Sequence, residues 1–249
     1  MSMQPEPLSP FEPRAVEIAA TITDEAQRSL FERAAGRVDP YAHRQIQEKY
    51  RAVAVNSDPA FIYKYLDVSF WLKDKVAKVF SLGLVGAPGL RILDLGTGAG
   101  HFPALCDTLG HETVGLDLEN PLYVDLCALM GVDRRTHRIK PGELLPSSLG
   151  AFDLTTAFAI KFDALGVDAQ RRHLYWSLAD WNHFIADVTS DRLRYPGRLY
   201  LQLNSRIVAD GTRERFTDVM EACRSAGAEI ARTGEILFNV EAPISLSPQ

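Results

Sequence analysis

The sequence predicts an α/β fold: a doubly wound, mostly parallel sheet of seven strands that ends in an antiparallel hairpin, preceded by a helical N-terminal extension. Three observations predict it. From Leu90 onward, short apolar runs alternate with segments of helical periodicity, as when strands are joined by crossover helices. A glycine-rich turn, Gly96-Thr97-Gly98-Ala99-Gly100, stands where the first strand should pass into the first crossover helix. Near the C-terminus, two apolar runs flank Thr233-Gly234. So short a link cannot carry a parallel crossover, so the last strand must run backwards.

The elements follow in order. Residues 1–20, with Pro5, Pro7, Pro10 and Pro13, read as a flexible arm. Three helices are expected next. The first covers residues 24–35, with Thr23 or Asp24 as its N-cap. The second covers 41–53. The third begins after Asn56-Ser57-Asp58-Pro59 and reaches Leu82, with Ile62, Tyr65, Leu66, Phe70, Val76 and Phe80 at roughly helical intervals. Residues 21–88 thus form a helical extension or cap. Gly83, Gly86, Pro88 and Gly89 break it from a second domain, residues 89–249. There, strands are expected at 91–95, 112–117, 137–139, 152–158, 197–203, 229–231 and 236–240. Helices are expected at 100–110, 121–130, 173–188 and 213–226, the second with a proline at its start, where a missing N–H costs nothing.

Composition excludes several classes. Of 249 residues, 46% are hydrophobic and 24% charged, which fits a globular chain rather than a disordered or membrane-spanning one. The start lacks the basic residues and apolar run of a signal peptide, so a cytoplasmic location is the expectation. A net charge of -5 argues against a large nucleic-acid footprint. Cys106, Cys127 and Cys223 are far apart, and no pair has metal-ligand or redox spacing; buried reduced thiols are expected, and no metal.

The chemistry is concentrated at Leu93-Asp94-Leu95-Gly96-Thr97-Gly98-Ala99-Gly100-His101-Phe102. Glycines at alternate positions leave a bare turn at the carboxyl edge of the sheet, where such folds bind ligands. Asp117 ends the second strand 21 residues after Gly96, and an acid there can accept hydrogen bonds from both ribose hydroxyls of a nucleoside. A dinucleotide site would want G-x-G-x-x-G, but His101 stands where the third glycine belongs. Asp94, ahead of the turn, suits a cationic ligand better than a pyrophosphate.

This stretch resembles motif I of class I, Rossmann-like, S-adenosylmethionine-dependent methyltransferases, and Val114-Gly115-Leu116-Asp117 is similar to their ribose motif. The likeness continues through Pro141-Gly142-Glu143-Leu144-Leu145-Pro146, similar to their adenine loop, and through residues 152–158 and 194–201, similar to their fourth and fifth strands. It covers roughly residues 60–240. The resemblance implies S-adenosyl-L-methionine as cofactor. Gly96, Thr97, Gly98 and Gly100 would then border its methionine and ribose parts, with His101 beside them. Asp94 would lie near its amino group, Asp117 and Leu118 at the ribose, and Ala157 and Phe158 below the methionine end. Either Pro141 and Gly142, or Glu143 and Leu144, would edge the adenine.

Methyl transfer from a sulfonium leaves no obligatory catalytic motif, so no catalytic residue is assigned. The acceptor is expected to be a small molecule (a metabolite, lipid or sugar), since the Asn/Asp-Pro-Pro-aromatic box of base methylation is absent after strand four. Candidate acceptor-side residues are Lys161, Asp163, His173, Trp176, His183 and Asn204. On one helix, His173, Trp176, Asp180 and His183 would form a stripe that is solvated, lines a pocket or meets a second copy in a homodimer. Leu174, Leu178, Trp181 and Ile185 would face the core. The aromatic segment of Tyr63, Tyr65, Phe70 and Trp71 either packs in the core or covers the acceptor. In the latter case, deleting residues 1–57 should spare cofactor binding and abolish turnover. A methyltransferase-like protein that binds without turnover, or an NAD(P)-dependent oxidoreductase, are the alternatives.

Overall fold

The structure, a computed structural model, describes residues 10–54, 64–208 and 211–246. In chain order the helices are α1 (Phe11–Ala20), α2 (Glu25–Ala35), α3 (Pro40–Ala54), α4 (Val68–Ser81), α5 (His101–Thr108), α6 (Pro121–Met130), α7 (Leu178–Asp191) and α8 (Thr217–Ser225). The strands are β1 (Arg91–Leu95), β2 (Glu112–Asp117), β3 (Arg134–Thr136), β4 (Phe152–Ile160), β5 (Ala164–Val167), β6 (His173–Tyr175), β7 (Leu193–Leu203), β8 (Arg206–Ile207), β9 (Arg213–Glu214), β10 (Glu229–Ile230) and β11 (Glu235–Val240). Seven strands form one sheet in the order β10-β11-β7-β4-β1-β2-β3. β1 pairs with β4, and β4 with β7, in parallel. β11 runs antiparallel to both β7 and β10. The predicted α/β architecture, its reversed last strand included, is therefore present.

The chain divides into two compact units, one of Met1–Gly89, Thr97–Gly115 and Glu119–Arg134, the other of Leu90–Gly96, Leu116–Leu118 and Arg135–Gln249. In the first, α1, α2 and α4 pack on one another, and α2 and α4 pack on α5. Leu30, Phe31, Leu72, Val76 and Val79 are almost wholly buried there. Each such side chain contributes about 1.5–3 kcal/mol by leaving water. Polar contacts fix the packing. His43 Nε2 bonds the Leu66 carbonyl at 2.9 Å, Arg14 pairs with Asp67 at 3.0 Å, and Lys49 and Tyr50 of α3 both donate to Asp125 of α6, at 2.6 and 2.8 Å.

The second unit is built on β1, β4, β7 and β11. Ile92, Leu93, Leu95, Leu154, Ala157, Leu199, Leu201 and Ile236 are fully buried along them, as expected of strands covered on both faces. α7 adds Trp181, Ile185 and Val188 to this core.

Several expectations are corrected. Residues 11–20, read as part of a flexible arm, form α1, with Phe11, Ile18 and Ala19 buried; its proline at position 13 lies in the first turn, where no N–H is needed. Residues 1–9, and Ile62 and Tyr63 of the expected third helix, lie outside the described residues. Strand three is at Arg134–Thr136 rather than 137–139. It is an edge strand of polar residues, so it carries no apolar signal. The helix expected at 173–188 begins only at Leu178, where Ser177 and Asp180 form a capping box. His173 belongs instead to a β5–β6 hairpin that the sequence reading missed. The helix expected from residue 213 begins at Thr217, because Arg213-Glu214 pairs with β8. The strand expected at 197–203 is β7 and begins at Leu193, and the expected Tyr195-Pro196-Gly197 turn is a bulge within it. A Cβ at Gly197 would lie 2.3 Å from the Arg194 carbonyl.

Candidate functional site

β1 ends at Leu95, and the chain enters the glycine turn at once. Gly96 has φ +69 and is exposed, and its N–H donates to the Leu116 carbonyl at 2.7 Å. That bond sets the end of β2, and so Asp117, beside the start of the turn. The Asp117 carboxylate is half-buried and accepts from the Leu118 N–H at 2.7 Å. Leu118 is 48% exposed, an uncovered apolar surface next to an acid. Asp94 is buried two residues before Gly96 and accepts from the Thr156 hydroxyl at 2.7 Å, across the β1–β4 register.

The other candidates of the second unit sit at the same carboxyl edge. Pro141, Gly142, Glu143 and Leu144 form an outward loop, with Gly142 at φ +70 and Glu143 paired to Lys140 at 2.9 Å. Leu144 is 61% exposed. Ala157 and Phe158 are buried on β4, with the Phe158 ring 5.2 Å from that of Tyr200. Phe162 was not singled out from the sequence. Its ring lies 4.0 Å from where a Cβ on Gly96 would stand, and it packs against Trp176 and Phe184, each 5.3 Å away. Nothing in the linear pattern ties position 162 to position 96; the β1–β4 pairing does.

Within the first unit, Thr97 is buried and packs against Gly115, where a Cβ would come within 2.7 Å of the threonine methyl. Gly98 has φ +56, and among the described residues no atom beyond its chain neighbours lies within 4 Å of a Cβ built there. Gly100 differs. It takes φ +81 as the α5 N-cap, and a Cβ would lie 2.8 Å from Cys127 Sγ and 3.3 Å from Val132. Its need for glycine comes from this left-handed φ and from close packing on Cys127 of α6 and on Val132. His101 is buried against Trp71, with ring centroids 6.5 Å apart, and its Nε2 has no hydrogen-bond partner among the described residues. Burial, helped by the charge of Lys75, lowers its pKa to about 3, so the ring is neutral.

The acceptor-side candidates separate. Asn204 ties the ends of β7 and β4 together, donating to the Ala159 and Ile160 carbonyls at 2.8 Å each. Ala159 itself holds φ +49 at a register shift, a strained conformation of the kind that accumulates at functional sites. Asp163 is 4% exposed just past β4, and burial pushes its carboxyl up to about 6. Lys161 is exposed, and the Trp176 ring is buried in the aromatic cluster while its backbone N–H donates to the Asp163 carbonyl at 2.9 Å. The helical stripe of His173, Trp176, Asp180 and His183 is not formed, since His173 is on β6 and Trp176 faces the core; Leu174, expected in the core, is 43% exposed. A cavity of about 200 Å³ opens at the end of β7, lined by Asn204, Arg215, Phe216 and Thr233 among others.

All three cysteines are buried thiols, and burial pushes Cys223 up to about 12, where it is unreactive. Among the described residues, no cluster of His, Cys, Asp and Glu could hold a metal ion, and no helix is long and apolar enough to cross a membrane.

No protein-family model matches the sequence, and no curated protein does. Solved structures are similar in fold. Streptomyces venezuelae DesVI is 11% identical over 75% of this chain and 100% of its own, with a TM-score of 0.49. An O-methyltransferase family protein from Burkholderia thailandensis is 12% identical over 85% of this chain and 72% of its own, at 0.44. The glycopeptide N-methyltransferase MtfA, complexed with S-adenosyl-L-methionine, is 13% identical over 68% of this chain and 93% of its own, at 0.42.

Proposed function

We propose that this chain is an S-adenosylmethionine-dependent methyltransferase acting on a small molecule. The observation that carries the reading is the bond from the Gly96 N–H to the Leu116 carbonyl, which sets Asp117 beside the exposed Gly96 at the start of the glycine turn. Among the described residues, and apart from chain neighbours, nothing lies within 4 Å of a Cβ built at Gly98 and only the edge of Phe162 does at Gly96, which leaves room there for the cofactor. S-Adenosylmethionine supplies a methyl group already activated by a positive sulfur.

The chain's own residues then bind and orient. Asp117 accepts the ribose hydroxyls, and exposed Leu118 and Leu144 offer apolar surface for a flat base. Asp94 favours the cationic amino group. Phe162 walls the turn with an aromatic ring, which attracts a positive centre and excludes water. Such positioning can account for about 7–11 kcal/mol of barrier. The acceptor approaches over the ends of β4 and β7. If it arrives protonated, Asp163 is the carboxylate near enough to neutral pH to exchange that proton.

Calorimetry tests this. S-Adenosylhomocysteine should bind at micromolar level and NAD should not. Asp117→Ala should weaken binding by about 1.5–3 kcal/mol, as for a lost hydrogen bond to a charged group. A loss below about 0.3 kcal/mol, well under that range, would remove Asp117 from the ribose site.

A further inference from the structure

The loop after β3 is mostly exposed from Lys140 to Leu144, yet the next residue, Leu145, is 3% exposed and its backbone is held at both polar atoms. Its N–H donates to Asp187 Oδ2 at 2.8 Å, and its carbonyl accepts from Arg192 Nη2 at 3.0 Å. Asp187 lies in the last turns of α7, and Arg192 is the residue that ends that helix. The two side chains are 2% and 8% exposed and stand 3.9 Å apart.

A buried ion pair is an expensive way to stabilise a core, because desolvating the two charges offsets most of their attraction, and apolar residues of like volume often do as well. This pair is not even fully satisfied. Asp187 Oδ1 and Arg192 Nε have no hydrogen-bond partner among the described residues. What apolar residues could not do is bond both the N–H and the C=O of Leu145, which stands between the exposed 140–144 segment and the short 3-10 turn Ser147–Leu149. The pair therefore serves the position of Leu145, and Leu145 anchors the outward segment Gly142-Glu143-Leu144.

We propose that Asp187 and Arg192 are positioning residues for adenine recognition: by clamping Leu145 they hold the 142–144 segment as a preformed edge for the base. The proposal rests on the cofactor reading above. A preformed edge costs less ordering on binding than a loose loop does, so releasing the clamp weakens the nucleoside ligand without touching it.

The test uses the full chain and S-adenosylhomocysteine. Calorimetry on Asp187→Ala, with folding checked by circular dichroism, should show affinity at least tenfold lower. Asp187→Asn keeps an oxygen for the Leu145 N–H and should recover affinity to within about threefold, whereas Asp187→Leu keeps the side-chain volume without the acceptor and should not. Affinity within twofold for folded Asp187→Ala overturns the clamp. Amide exchange on the wild-type chain needs no variant and remains decisive if Asp187→Ala fails to fold. Saturating S-adenosylhomocysteine should slow exchange at residues 142–145 as well as at the glycine turn. Protection at residues 96–100 alone overturns the clamp and leaves the cofactor reading standing. No binding by the wild-type chain overturns the cofactor reading itself.

Discussion

Asp163 bears a charge in a place that resists it, and this has a measurable consequence. Burial lifts its carboxyl to about 6, above the value of about 3.9 in an unfolded chain. Below pH 4 both states hold the proton and the shift has no effect. Between pH 4 and 6 the unfolded chain releases its proton first, so stability falls as pH rises. Urea unfolding should therefore find Asp163→Asn more stable than wild type at pH 8, by about 1–3 kcal/mol, and equal to it at pH 4. A variant that loses stability at pH 8 would mean that the carboxylate has a compensating partner. His101 is the opposite case. Its lowered pKa keeps the ring neutral, so its share of stability is present at neutral pH and is lost as pH falls below about 6.5. Both positions were legible as candidates in the sequence, since each adjoins a strand end or the turn. Their burial was not legible, because it depends on Trp71 in one case and on the β4–β7 edge in the other.

Elements explain why three glycines so close together are not equivalent. Gly96 and Gly98 leave the turn bare, whereas Gly100 lets α5 approach Cys127 of α6. Gly100→Ala should cost about 2–4 kcal/mol, combining left-handed strain with overpacking. In a Cys127→Ala background the cost should drop towards about 1–2 kcal/mol, mainly the strain, with the Val132 contact remaining. Thermal unfolding of the four proteins closes that cycle, and an unchanged cost in both backgrounds would deny the contact. Elsewhere, local signals set some boundaries and were overridden at others. β1, β2 and α6 lie where their apolar runs and the proline at 121 put them. Residues 173–175, read as the start of a helix, pair instead with 164–167 as a hairpin, and the Ser177–Asp180 capping box starts α7 later.

For the whole molecule, the helical extension is not a detachable cover. Leu30 and Phe31 of α2 share a core with α4, and both helices pack on α5, the helix that leaves the glycine turn; Arg37 also donates to Thr108 at its far end, at 3.2 Å. Deleting residues 1–57 should therefore abolish S-adenosylhomocysteine binding along with turnover and lower the unfolding midpoint, in place of the selective loss of turnover that the sequence suggested. A truncated chain that binds normally in calorimetry would restore the lid. By itself the sequence determined the alternation of strands and helices, the reversed last strand and the turn with its acid, because these are encoded in local periodicity, glycine conformation and link length. Tertiary structure alone decided that Phe162 flanks Gly96, that Asp163 is desolvated, that Gly100 answers to Cys127 and that Asp187 and Arg192 grip Leu145. Each of these joins residues distant in the chain, and only the pairing of strands and the packing of helices brings their atoms within a few ångströms.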